Sequence, residues 1–242
     1  MQILFLPTVC FLLIFFFSLF AQSRDDFFLL KRNISVEKVF NSAFLLLLCS
    51  LIFSRMIYAI LHLDHNFLNP FVFFLFPYFP GFSLFGALVG AFVFIFVYFK
   101  PPKNPRLRLL DFFSASFLFA YTGGFIITII IFLFSQKYIH FIDLVELLFL
   151  CLLSIFLLLY LLPKEKRGEL QDGSVGFIFY ALFVPILFLR DQAHKIMVLG
   201  VNIENIFSVI LFFTCVSVFA KRERVLSRVV AFLKLKIIRK NG

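Results

Sequence analysis

Few residues in this chain are equipped for chemistry, and Arg55 is the most informative of them. A guanidinium in an apolar run is costly in a membrane and is kept there to pair, to face a cavity or to mark a path. Arg55 lies near the end of its run, so it can hold a phosphate or snorkel to lipid headgroups. Tyr58, one helical turn on, can share its target. Arg190 ends another apolar run, in a charged stretch with Asp191, His194 and Lys195. A guanidinium there suits a phospholipid phosphate, held through two parallel hydrogen bonds, or a surface pair with Asp191. Between these positions, Gly81, Gly86 and Gly90 clear one side of a bulky apolar segment, which lets a neighbouring backbone or a lipid chain come close.

Other groups point to blander roles. His62, Asp64 and His65 can supply a base or metal ligands, but no further ligand has suitable spacing, and a polar interface at a helix end accounts for them. Asp111 follows Arg106 and Arg108 and is expected to pair with them or to cap its own helix. Gly123-Gly124 permits a kink or close packing. Cys10, Cys49, Cys151 and Cys215 sit in apolar runs without metal or disulfide spacing. There is no P-loop, no G-x-S-x-G, no HExxH and no triad spacing, so no metal and no cofactor is expected.

The elements that must position these residues are membrane helices. With 62% hydrophobic and 15% charged residues, 242 residues cannot be a soluble domain. Phe occurs 42 times and Trp never, so Tyr and Phe must form any aromatic belt. Runs long enough to approach the roughly 20 residues of a span cover 2–22, 39–62, 81–99, 109–135, 142–162, 174–189 and 199–220. The expectation is an all-α integral membrane bundle of about seven transmembrane helices.

Of 23 Lys and Arg, nineteen fall in segments 23–38, 100–108, 163–173 and 221–242, and three in the alternate segments. The N-terminus is therefore expected outside and the C-terminus in the cytoplasm. Residues 1–220 read as a single transmembrane domain and 221–242 as a basic tail, with Val225, Val229, Phe232 and Leu233 spaced for a helix on the inner surface. The net charge of +10 thus speaks for membrane orientation and anionic lipid, not nucleic acid. The apolar, proline-bearing segment 63–80 is expected to lie over the outer mouth as an interfacial or re-entrant stretch.

The pattern resembles the prolipoprotein diacylglyceryl transferases of bacterial inner membranes. Ser54-Arg55-Met56-Ile57-Tyr58 is similar to the family's G-R-L-G-Y, and Asn69-Pro70 to a step that follows it. Ser83 to Gly90 is similar to S-I-H-G-G-L-I-G, followed by a basic loop and L-x-D. Phe188-Leu189-Arg190-Asp191 is similar to F-F-R-E/Q-P. Together these cover residues 36 to 220. The resemblance implies transfer of diacylglyceryl from phosphatidylglycerol to a lipobox cysteine, with phosphatidylglycerol and prolipoprotein signal peptides as partners and Arg55, Tyr58, Gly81, Gly86, Gly90 and Arg190 at the lipid site. The family's histidine falls on Phe85, and the arginine and asparagine of its G-R-I-G-N signature on Phe125 and Thr128. The glycine-rich segment that should follow is replaced by Ile129 to Phe134. Two readings follow: a divergent transferase, or a lipid- or lipopeptide-binding relative of the same fold. A transporter or channel is disfavoured because the spans are read as lacking intramembrane acids and paired broken helices.

Overall fold

The structure is a computed structural model that describes residues 5–24, 26, 29–30, 34–61, 81–99, 106–136, 138–194 and 203–223. Among them are seven long helices: α1 (Phe5–Ser23), α2 (Val36–Leu61), α3 (Leu84–Tyr98), α4 (Arg106–Phe134), α5 (from Phe141 to Lys166), α6 (Ser174–His194) and α7 (Ile203–Arg222). Each coincides with one apolar run of the sequence. In hydrocarbon every backbone amide needs an internal partner, so an apolar run of this length has helix as its only open form.

Four helices, α1, α2, α4 and α5, are long and apolar enough to cross a membrane; α3 and the apolar part of α6, Ser174–Phe188, are shorter. The chain is a multi-pass, all-helical membrane protein. Its outer surface is correspondingly greasy, with Phe17, Leu48, Leu152 and Phe213 on different helices all exposed.

α4 is the central element. Residues 108–116 are buried on every side, so this first third of the helix has no lipid face. It packs against α1 and α6, while α2 pairs with α3 and α6 with α7. Phe117 shows how the aromatic-rich core is filled: its ring meets Phe11 of α1 and Phe179 and Phe183 of α6 edge-on and stacks on Tyr121.

Two helices absorb a proline. α5 widens into a π turn at Leu157–Leu161 just before Pro163. Proline has no N–H and its ring crowds the carbonyl four residues back, and the wider turn accommodates that crowding. α6 continues through Pro185.

The helices alternate in direction. Arg108 of α4 meets Asp26 after α1 and Glu165 of α5, Asp111 meets the start of α6, and Glu223 after α7 meets Ser174. The described parts of the basic segments therefore collect at this end, and Arg55 and Gly81 lie at the other. The segment 63–80, His62, Asp64, His65 and the tail beyond 223 lie outside the described residues.

Candidate functional site

Two motifs that are distant in the sequence form one joint. Ser83 caps α3, its side chain accepting from the Gly86 amide at 2.9 Å. Its backbone is tied to α2 in both directions: Ser83 N donates to Ser54 O at 3.2 Å, and Ser54 Oγ donates to Ser83 O at 2.7 Å. Arg55 then reaches across, Nη1 donating to Gly81 O at 2.7 Å. Its guanidinium lies 5.6 Å from the centre of the Phe82 ring. Arg55 is 0% exposed, so its side chain is fully covered. It is held inside by a carbonyl and an aromatic face.

The glycines explain how the two helices come this close. A Cβ on Gly81 would fall 2.1 Å from the Tyr58 ring, so Tyr58 lies directly against the glycine backbone. On Gly86 a Cβ would be 2.9 Å from Phe53 O and Ser54 Cα, and on Gly90 it would be 2.6 Å from Phe53 Cβ. Of the two neighbours the cleared face left open, backbone and lipid, it is α2 that fills it.

Arg55, Tyr58, Gly81, Gly86 and Gly90 are thus brought together. Arg190 lies in α6, ten residues past Tyr180, whose hydroxyl donates to Leu88 O at 3.3 Å. At 1.5 Å per residue that places its backbone about 15 Å further toward the Arg55 end; its side chain is outside the described residues.

Beneath the joint is a cavity of about 250 Å³. Phe82 forms part of its wall and also carries the Arg55 guanidinium. The lining comes from α1, α2, α3, α4 and α6, and is apolar apart from Ser50, Ser54, Ser114 and the Tyr180 hydroxyl. Phe85 is half-buried. Phe125 stacks on Tyr121 at 6.2 Å, and Thr128 Oγ1 turns back to Gly124 O at 2.9 Å. Gly123 and Gly124 serve packing: a Cβ on Gly123 would be 2.4 Å from Ile14 of α1.

Two polar arrangements were not anticipated. Asp111 neither pairs with Arg106 or Arg108 nor caps its own helix. Its oxygens accept from Gly173 N at 2.5 Å and Gly176 N at 2.7 Å, so it caps α6 from across the interface, where the free amides of a helix start need acceptors. Arg108 instead binds Asp26, with Nη2 at 2.6 Å and Nε at 3.2 Å, and Glu165, with Asp172 at 3.6 Å. These three acids lie in segments read only as orientation loops. The spans also carry a second buried acid besides Asp111. Glu146 of α5 is buried, and the Tyr121 hydroxyl donates to it at 3.4 Å, which corrects the expectation that the spans lack intramembrane acids. A glutamate one turn inside an apolar run was the available signal.

Among the described residues no group of histidines, cysteines and carboxylates can hold a metal ion. No curated protein and no solved structure matches the chain. A family model for prolipoprotein diacylglyceryl transferase matches residues 6–127, which is half of the chain and runs from α1 into the last third of α4. It takes in Arg55, Tyr58, the Gly81–Gly90 stretch, Asp111 and Phe125; α5, α6 with Arg190, and α7 lie beyond it. On that match and on the joint that its Arg55 and Ser83 motifs build, the chain belongs to the prolipoprotein diacylglyceryl transferase family.

Proposed function

We propose that this chain binds phosphatidylglycerol at the Arg55 end of the bundle, in a bacterial inner membrane, with seven spans, the N-terminus outside and the C-terminus in the cytoplasm. Diacylglyceryl transfer to a lipobox cysteine is the reaction the fold serves, and in this chain binding outlasts transfer. In that reaction the cysteine sulfur attacks the glycerol carbon, the carbon–oxygen bond to phosphate breaks, glycerol phosphate leaves with the electron pair, and the thiol proton must be taken up. Arg55 is the group suited to the phosphate charge, since a guanidinium offers five donors in a fixed fork and the Gly81 carbonyl and Phe82 ring hold it in place.

The observation that carries the reading is the buried Arg55–Gly81 joint above an apolar cavity. Phe82 lines the cavity and carries the Arg55 guanidinium on its ring, so a cation stands next to hydrocarbon space, which is the polarity of a phospholipid. Weak transfer is supported by Phe85 and Phe125: apolar rings cannot hydrogen-bond phosphate or thiolate. Complementation of a strain depleted of its own transferase tests this, with diacylglyceryl-modified prolipoprotein measured directly. The expected result is correct insertion without rescue. Robust rescue that is lost in Arg190→Ala would establish an active transferase instead.

A further inference from the structure

Three polar groups on the cavity wall take no part in the Arg55 joint, Ser50, Ser114 and the Tyr180 hydroxyl, and the last is spent on Leu88 O. Ser50 is 9% exposed, and its hydroxyl has no hydrogen-bond partner among the described residues. A serine inside a helix commonly returns its hydroxyl to the carbonyl one turn back, as Thr128 does here. A buried hydroxyl without a partner is costly to the fold, and a native structure that keeps one has a use for it. Its χ1 has three staggered positions, so it can turn toward whatever fills the cavity.

The shape of the space narrows the occupant. The α3 side of the wall runs from Ala87 to Ile95, about 12 Å at 1.5 Å per residue. The volume of about 250 Å³ is below the roughly 300–1,000 Å³ of sites that enclose whole drug-sized ligands. A slot this narrow accepts one hydrocarbon chain, not two. Ser50 lies five residues from Arg55 in α2, about 7.5 Å deeper along the axis, and the esters of a glycerophospholipid lie a few bonds below its phosphate.

We propose that this cavity binds a single acyl chain and that the Ser50 hydroxyl donates to the carbonyl of its ester. The site reads the ester of a lipid, where Arg55 reads its phosphate. Identifying the whole lipid as phosphatidylglycerol rests on the function proposed above; recognition of the acyl ester does not.

A headgroup-free probe separates the two. The chain has no tryptophan, so Phe113→Trp on the cavity wall gives a single fluorophore, and Phe17→Trp on the exposed surface reports bulk micelle. The protein in detergent is titrated with the methyl ester of dibrominated stearic acid, and with dibrominated octadecane, which has the same chain and no acceptor. The expected result is saturable quenching in Phe113→Trp and not in Phe17→Trp. The ester should bind roughly three- to tenfold more tightly than the hydrocarbon, the contribution of one buried neutral hydrogen bond. Adding Ser50→Ala removes that preference and leaves hydrocarbon binding unchanged. Ala91→Phe, which fills the cavity, abolishes saturable quenching; if that variant does not fold, the Ser50→Ala comparison still decides. Unsaturable quenching that parallels Phe17→Trp, or equal ester and hydrocarbon binding with Ser50 present, overturns the proposal. Ester recognition in a protein that ignores phosphatidylglycerol sinks the function proposed above and leaves this site standing.

Discussion

Arg108 shows how residue type and residue role come apart. In the sequence it is one of nineteen basic residues that mark a side of the membrane; in the fold it is buried against Asp26 and Glu165, which lie 82 and 57 residues away along the chain. No local spacing announces such a contact. Arg55 was legible because an isolated charge in an apolar run has few explanations, whereas Arg108, among other loop charges, has many. Glu146 was passed over because one acid hardly alters an apolar run, although its burial makes it as conspicuous as Arg55 in the structure. Removing one partner of a buried pair leaves the other charge uncompensated. Arg108→Ala is therefore expected to lower stability by about 3–5 kcal/mol, read from thermal unfolding of the detergent-solubilised protein. Arg108→Lys should recover only part of this loss, because a lysine cannot serve two carboxylates through one planar fork. A full-stability Arg108→Ala variant would show that the cluster is solvated in the membrane-embedded protein.

At the scale of elements, the seven apolar runs mapped onto the seven described helices because hydrocarbon leaves an apolar stretch little choice of backbone. Helix ends were harder to read: α5 was expected to stop at 162 and continues to Lys166 through its π turn, and α6 runs on to His194. Helix pairing was legible only where glycines cleared a face. Membrane helices pack through shape and small residues, so the α2–α3 joint left a trace at Gly86 and Gly90 and the α1–α4 contact one at Gly123-Gly124, while the α4–α6 contact was not read. Gly90→Ala would place a methyl 2.6 Å from Phe53 Cβ. The expected effect is a loss of about 1–3 kcal/mol by overpacking, visible as a lower unfolding temperature. Gly168→Ala is the control for a glycine with no atom within 4 Å of its Cβ position, though its φ of +73° adds backbone strain.

For the whole molecule, the alternating helices gather the described basic segments at one end, the arrangement that charge-directed insertion produces. Seven spans with the N-terminus outside predict that Ser135→Cys is labelled from the periplasm and Glu169→Cys from the cytoplasm; both positions are exposed, whereas Ser174 is buried and bonded to Glu223 and would report nothing. Labelling of both from one side would overturn the seven-span plan.

The proposed function requires an anionic phospholipid to be held by Arg55 at the α2–α3 joint. The direct measurement is native mass spectrometry of the purified protein titrated with phosphatidylglycerol and, in parallel, phosphatidylcholine, for the chain as it stands and for Arg55→Ala and Arg55→Gln. Preferential retention of phosphatidylglycerol, reduced tenfold or more in both variants as a charge-assisted contact of about 1.5–3 kcal/mol implies, is the predicted result. Equal retention of the two lipids, or a preference that survives both substitutions in folded protein, would contradict it.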